Sequence, residues 1–338
     1  MENSSHLLYH VDCPTGSLTA IAVVLSVISL LGLGGNFLVI ITFIKRENLK
    51  TSSNYYVMNM VVSDLVCVLL NWPLFATEGM LQAGGSLITD AVAASFFCKL
   101  GIYSRSLSYS VSIISLVLIA VDRFIATRFP LKSLTITGKI RTIFMLVSWG
   151  IPAFGLIPYL LYSRVIQSEE HTFCRNMMSQ LLLQTYYSVG FVLLYCIPFI
   201  FIVVLYSLIM KQLRERRKLY NGDRIQSRAK RDKENQNMMK VFGSIVLGFF
   251  TCWTPLYVYM FLKSLHPSVF TKDKCRTLNL VGVLYYIFPL ISTTINPFIL
   301  IAFSSRYRVS FKRACFYFLS QKKGQNSPQF ALAAVSPQ

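Results

Sequence analysis

The sequence predicts an all-α membrane protein: a seven-transmembrane helix bundle followed by a short amphipathic C-terminal helix on the membrane surface. Three observations carry that prediction. Of 338 residues, 54% are hydrophobic and only 14% charged, whereas soluble domains carry about 25% charged residues. The apolar residues fall in seven blocks, each long enough to cross a hydrocarbon core of about 30 Å as a helix. The formal net charge of +19 concentrates in alternate gaps between those blocks. That is the positive-inside asymmetry of a multi-pass membrane protein, and it argues against nucleic acid as the partner.

The blocks follow in order. Met1 to Gly16 is polar, holds Glu2 and Asp12, and lacks a basic n-region, so residues 1–17 are expected outside the cell. Leu18–Ile44 is too long for a signal-peptide core and reads as an uncleaved first span. Asn3-Ser4-Ser5 is a glycosylation sequon, which fits that orientation. The further spans are expected at Tyr55–Glu78, Phe96–Arg128, Ile140–Tyr162, Gln184–Leu213, Met238–Ser264 and Thr277–Phe303. Unpaired backbone groups are not tolerated in lipid, so each should be helical. An odd number of crossings within residues 18–303 puts the C-terminus in the cytoplasm.

The inner gaps carry Lys45, Arg46 and Lys50, then Arg128, Lys132, Lys139 and Arg141, then the run Lys211–Lys240. Arg214–Asn237, charged and broken by Gly222, is expected to extend two helices. In residues 304–320, Tyr307, Phe311 and Phe316 alternate with Arg306, Arg308, Lys312 and Arg313. That pattern suits a helix lying on the anionic inner leaflet. Cys315 within it is a palmitoylation candidate, with a plain buried thiol as the alternative. Residues 321–338 form a polar tail expected to be disordered.

Polar side chains inside the spans are expensive and point to function. Asn36, Asp64, Asp122, Arg123 and Asn296 are the cases. With their neighbours they resemble the rhodopsin-family (class A) G-protein-coupled receptors, in a peptide-receptor-like form. The resemblance rests on Gly35-Asn36, Ser63-Asp64-Leu65, Asp122-Arg123-Phe124, Trp149, Pro198 with Tyr206, Cys252-Trp253-Thr254-Pro255 and Asn296-Pro297, in order, one set per span. It covers about Leu18 to Leu319.

The resemblance implies an allosteric sodium pocket of Asn36, Asp64, Ser112, Ser292 and Asn296. The alternative for Asp64 is a protonated, hydrogen-bonded structural residue. No other cofactor is expected, and no metal-ligand cluster. It further implies that Arg123 is a latch on Asp122 that receives a heterotrimeric G protein when the sixth span swings out. The plainer reading is a local ion pair at a helix C-terminus. Trp253 and Pro255, with the triad Ile113, Pro198 and Phe249, and with Tyr206 and Pro297, would form a movable switch rather than static kinks. Phe124 replaces the usual Tyr, Ser292 the frequent Asn. Leu300 stands where the family has a Tyr that helps hold the active state, which predicts weaker activation.

The resemblance bridges Cys98 to Cys174. Cys13 and Cys275 are then left over outside the membrane and suggest a second bridge, while Cys67, Cys196, Cys252 and Cys315 are expected free. Arg105 lies seven residues below Cys98, about two turns into the third span. Aminergic receptors hold an Asp at the matching position, so the sign of the site is reversed. Arg105 either binds an acidic ligand group or is neutralised internally by Glu78. Tyr109, Tyr187, Tyr257 and Tyr286 are expected to line the same cavity, as packing or as recognition surface. The seventh span has no Lys, which excludes a retinal Schiff base.

The leading expectation is a plasma-membrane receptor, not an enzyme, for a neuropeptide or other small peptide. It would signal to a G protein, with arrestin, receptor kinases and membrane lipids as further partners. An acidic lipid or nucleotide would also use Arg105. From other classes come a non-signalling ligand scavenger and a membrane transporter, the latter disfavoured because no inverted repeat is visible.

Overall fold

Apolar blocks of this length fold as helices because lipid offers the backbone no partner but itself. The computed structural model describes residues 15–81, 90–129, 137–167, 172–218, 225–265, 280, 283–304, 307–309 and 311. Its helices are α1 Thr15–Lys45, α2 Ser52–Leu81, α3 Ala91–Arg128, α4 Gly138–Gly155, α5 Ile157–Tyr162, α6 Gln180–Phe191, α7 Ile197–Lys218, α8 Ile225–Leu265 and α9 Phe288–Phe303. A π-helical turn, Val192–Cys196, joins α6 to α7 into one crossing, and a second, Val283–Ile287, leads into α9. Six crossings are long and apolar enough to span a membrane.

The fourth crossing differs from the single helix expected. Helix α4 has 18 residues, about 27 Å at 1.5 Å each, and the chain breaks at Leu156 before α5 resumes. Pro158 near the start of α5 has no N–H to continue the ladder across the break. A second departure is a small β-hairpin in the second outer loop, β1 Ser163–Gln167 paired antiparallel with β2 Thr172–Asn176. Val165 lies opposite Cys174 and Ile166 opposite Phe173. Strands this short leave no apolar block to see in the sequence. Helices α7 and α8 do extend beyond their apolar blocks, as the charged inner loop suggested.

Helix α3 is the central post. It packs against α2, α4, α5, α7, α8 and both strands, and its buried residues run from Cys98 to Thr127. Asp90 starts it, accepting from the Ala93 N–H at 2.7 Å. Helix α4 is peripheral: only Ser148 and Pro152, four residues apart, are buried, while Ile143, Phe144, Leu146, Val147, Ile151 and Phe154 face outward. Asn59 fixes it to the post. Its amide donates to Ser115 Oγ (3.0 Å) and Ser148 Oγ (2.9 Å), and Trp149 Nε1 donates to its carbonyl (2.8 Å).

Helical prolines set the remaining contacts. Pro198 cannot donate to the Leu194 carbonyl four residues back; the Tyr109 hydroxyl donates to it instead at 2.9 Å, tying α3 to the π-turn. Pro297 likewise leaves the Thr293 carbonyl to Asn36 Nδ2, which donates at 3.1 Å from α1. That reach requires α1 to sit close on α9. Glycines permit it: a Cβ on Gly35 would stand 2.8 Å from Pro297 Cγ, whereas one on Gly34 meets nothing within 4 Å.

Gly35→Ala should therefore overpack the α1–α9 seam, costing about 1–3 kcal/mol, while Gly34→Ala should be neutral. Thermal unfolding of the purified, detergent-solubilised protein separates the two.

Candidate functional site

Three residues of α3 at spacings of three and four lie on one face: Arg105, Ser108 and Ser112. They look towards α2 and α9 across a small cavity of about 20 Å³, also lined by Asp64, Asn71, Tyr109, Phe249, Trp253, Tyr286, Ser292, Thr293 and Asn296. At its floor Asp64 is 1% exposed. Ser108 and Ser112 each donate to Asp64 Oδ1 at 3.2 Å, and Asn296 Nδ2 donates to Oδ2 at 2.9 Å. Among the described residues its partners are neutral donors only.

The five expected members of the sodium pocket separate into two groups. Asp64, Ser112 and Asn296 meet directly. Asn36 instead donates to the Gly32 and Thr293 carbonyls, and its own Oδ1 is buried with no partner among the described residues. Ser292 accepts from Trp253 Nε1 at 3.3 Å. The oxygens gathered around Asp64 and the unanswered Asn36 Oδ1 are all hard donors of the kind that alkali and alkaline-earth cations take, so the residues present fit such an ion.

Above the floor is an aromatic layer. Tyr109 stacks on Phe249 with centroids 5.4 Å apart, and its ring lies 4.0 Å from Trp253. Tyr257 donates its hydroxyl to Tyr109 Oη at 3.0 Å. Ile113 and Phe249 share one buried core cluster, and Pro198 is buried at the start of α7. The Arg105 guanidinium stands 4.9 Å over the Tyr286 ring, a cation–π arrangement. Among the described residues it meets no carboxylate; the Glu78 side chain lies outside them. Of the four expected tyrosines, Tyr109 and Tyr286 line the cavity and Tyr257 reaches it through Tyr109. Tyr187 does not line it; it packs edge-on against Tyr285 at 6.3 Å.

At the other end of α3, Arg123 Nη2 and Nε donate to Asp122 Oδ2 at 2.7 and 3.2 Å. Ser53 Oγ of α2 donates to the same oxygen. Arg123 Nη1 also reaches Met238 Sδ of α8 at 3.4 Å, so the inner end of α8 lies against the arginine. The Tyr206 hydroxyl is buried with no partner among the described residues, and Leu300 is packed at 1% exposure. At the outer end, Cys98 at the top of α3 is bonded to Cys174 of β2. Cys67, Cys196 and Cys252 are free. Asn3, Cys13, Cys275 and Cys315 lie outside the described residues, as does most of 304–320.

Ser108 and Asn71 are the site residues that sequence reasoning passed over. Asn71 donates to Ser104 Oγ at 3.2 Å and to the Cys67 carbonyl at 2.8 Å. Both follow from helix phase: Asn71 is seven residues beyond Asp64, and Ser108 four before Ser112.

Comparison with known proteins agrees with this geometry. The model of the family described as "7 transmembrane receptor (rhodopsin family)" matches residues 35–300. The chain is 25% identical over 313 residues to the tachykinin-like peptides receptor 86C of Drosophila melanogaster, covering 89% of this chain and 60% of that one. It is 26% identical over 301 residues to the neuropeptide Y receptor type 1 of Xenopus laevis, covering 85% and 78%. It is 29% identical over 321 residues to the growth hormone secretagogue receptor type 1 of Rattus norvegicus, covering 90% and 82%.

The tyrosine layer gives a graded test. Tyr109→Phe strands both the Leu194 carbonyl and the Tyr257 hydroxyl and should cost about 1–3 kcal/mol. Tyr257→Phe leaves the Tyr109–Leu194 bond in place and should cost less. The thermal midpoints of the two variants should fall in that order.

Proposed function

The chain belongs to the seven-transmembrane receptor (rhodopsin) family, and on that premise we propose that it binds an extracellular peptide and promotes nucleotide exchange on a heterotrimeric G protein. The family is one of signalling receptors, not enzymes. The observation that carries the proposal is a single cavity lined by Arg105, Trp253 and Asp64. A group bound at its upper end would touch the same aromatic layer that packs α3 against α8. The relatives are named for tachykinin-like peptides, neuropeptide Y and growth hormone secretagogue, which favours a peptide over an acidic lipid or nucleotide.

In this reading Arg105 takes an acidic group of the ligand, a C-terminal carboxylate or an acidic side chain, in bidentate geometry. Tyr109 and Tyr286 flank it. Displacement of the Trp253 indole would disturb its bond to Ser292 and its contact with Tyr109. The helix carrying Trp253 also carries Met238, so its inner end would leave Arg123. The guanidinium would then be free to meet the G protein, and arrestin and receptor kinases would meet the same inner face. A ligand shifts such an equilibrium only by its differential affinity for the two arrangements. Asp64, Ser108 and Ser112 would hold a sodium ion, which would neutralise the buried carboxylate.

The proposed orientation puts the N-terminus outside the cell and the plasma membrane as location. The disulfide at one end of α3 suits an oxidising compartment. The basic inner segments of α7 and α8 suit the cytoplasm.

Agonist-dependent GTPγS exchange in membranes, after a peptide screen, tests the proposal directly; binding without exchange would mean a scavenger instead. Arg105→Ala should lower agonist potency by about 10- to 100-fold, the worth of a charged hydrogen bond, at unchanged surface expression. Unchanged potency would remove Arg105 from the ligand. Leu300→Tyr restores the hydroxyl that the family resemblance pairs with Tyr206 and should raise basal exchange above wild type. Equal basal and maximal signals would show that Leu300 does not limit activation.

A further inference from the structure

A groove of about 730 Å³ runs between α7 and α8 on the outside of the bundle, away from the ligand cavity. One stripe of α7 lines it, through Phe199, Val203, Tyr206, Met210 and Arg214, and Gly243, Leu247 and Phe250 line the facing side of α8. Phe199 and Phe250 close its upper end, ring centroids 4.7 Å apart. Val203 and Leu247 are exposed along it. A Cβ on Gly243 would meet nothing within 4 Å, so the missing side chain leaves the floor open. The apolar stretch from Phe199 to Met210 is about 16 Å of helix, close to half of a hydrocarbon core of about 30 Å.

Below that stretch the chemistry changes abruptly. Lys211, Arg214 and Glu215 line the groove's inner mouth, at i, i+3 and i+4 on one face of α7. All three are exposed. Two cations beside one carboxylate complement a headgroup with two anions beside one ammonium. Tyr206 borders the same groove with a buried hydroxyl that has no partner among the described residues.

We propose that this groove binds phosphatidylserine from the inner leaflet. One acyl chain lies along the Phe199–Met210 stripe over Gly243. The phosphate and carboxylate meet Lys211 and Arg214, and the ammonium meets Glu215. Apolar contact alone would accept any phospholipid; the three charges select this one. The assignment of the leaflet rests on the orientation proposed above, but occupancy does not, and neither a peptide ligand nor a G protein enters the test.

The test uses the full chain in nanodiscs of phosphatidylcholine doped with phosphatidylserine or phosphatidylglycerol, reading lipid retention by native mass spectrometry and the thermal midpoint. Wild type should retain phosphatidylserine over phosphatidylglycerol and gain stability from it. Lys211→Ala with Arg214→Ala should weaken retention by roughly thirtyfold, at the usual worth of a basic residue at an anionic surface. Glu215→Gln should erase the preference for phosphatidylserine, and Lys139→Ala, exposed on α4 outside the groove, should behave as wild type. Gly243→Leu should reduce retention of both lipids with every charge intact. Equal retention of the two lipids by wild type, or retention that survives Gly243→Leu, overturns the proposal. If Gly243→Leu does not fold, the exposed charge variants still decide it: retention unchanged in the double alanine variant overturns it alone.

Discussion

The carbonyls released by Pro198 and Pro297 inside lipid-embedded helices are answered from neighbouring helices, and these two bonds fix two seams of the bundle. Water cannot reach such a group, so leaving it bare costs several kcal/mol. Tyr109 answers Leu194 for Pro198, and Asn36 answers Thr293 for Pro297. Each bond joins two helices at a fixed height. The first holds the third crossing to the fifth, and the second holds the first to the seventh, where Gly32 and Gly35 let the backbones approach. The prolines thus convert a local defect into tertiary contacts.

The same reversal of inside and outside governs the rest. Apolar side chains face outward on α4 and on the α6–α7 crossing, whereas Asn36, Asn59, Asp64, Asn71 and a ladder of serines on α3 are buried. Between lipid and helix there is little hydrophobic drive for association, so packing and interhelical hydrogen bonds carry it. Serine on α3 serves both ends: it is small enough for close packing and can donate to Asp64 or accept from Asn59. A functional cavity arises where these polar groups are most dense. Arg105 adds a cation at its upper end, over Tyr286, and Asp64 a buried carboxyl group at its lower end.

The Arg123 end of the bundle follows a different logic. Arg123 is held by Asp122, and among the described residues its hydrogen bond to α8 goes to a thioether. A sulfur acceptor is weak, so the contact that keeps α8 against α3 is easily given up, while the Asp122 pair, reinforced by Ser53, is not. Unequal strengths of this kind suit an element that moves as a body. The groove on the outer side of α7 and α8 borders the same helix α8.

Much of this was legible in residue order. The seven apolar blocks, the alternation of basic gaps and the costly polar residues Asp64, Arg123 and Asn296 are properties of composition and spacing, because the solvent is hydrocarbon and punishes any misplaced charge; Trp253 was reached through the family resemblance. Helix phase would also have reached Ser108 and Asn71. The sequence alone could not say that Asn36 turns to the Thr293 carbonyl rather than to Asp64. It could not say that Ser292 serves Trp253, that Tyr187 packs edge-on against Tyr285, or that α4 breaks at Leu156 before a hairpin. Which partner a buried polar atom takes depends on the rotation and height of one helix against another, and those are set by close packing of side chains far apart in the chain. Residue order determined what had to be inside; only the assembled bundle decided what each group would meet there.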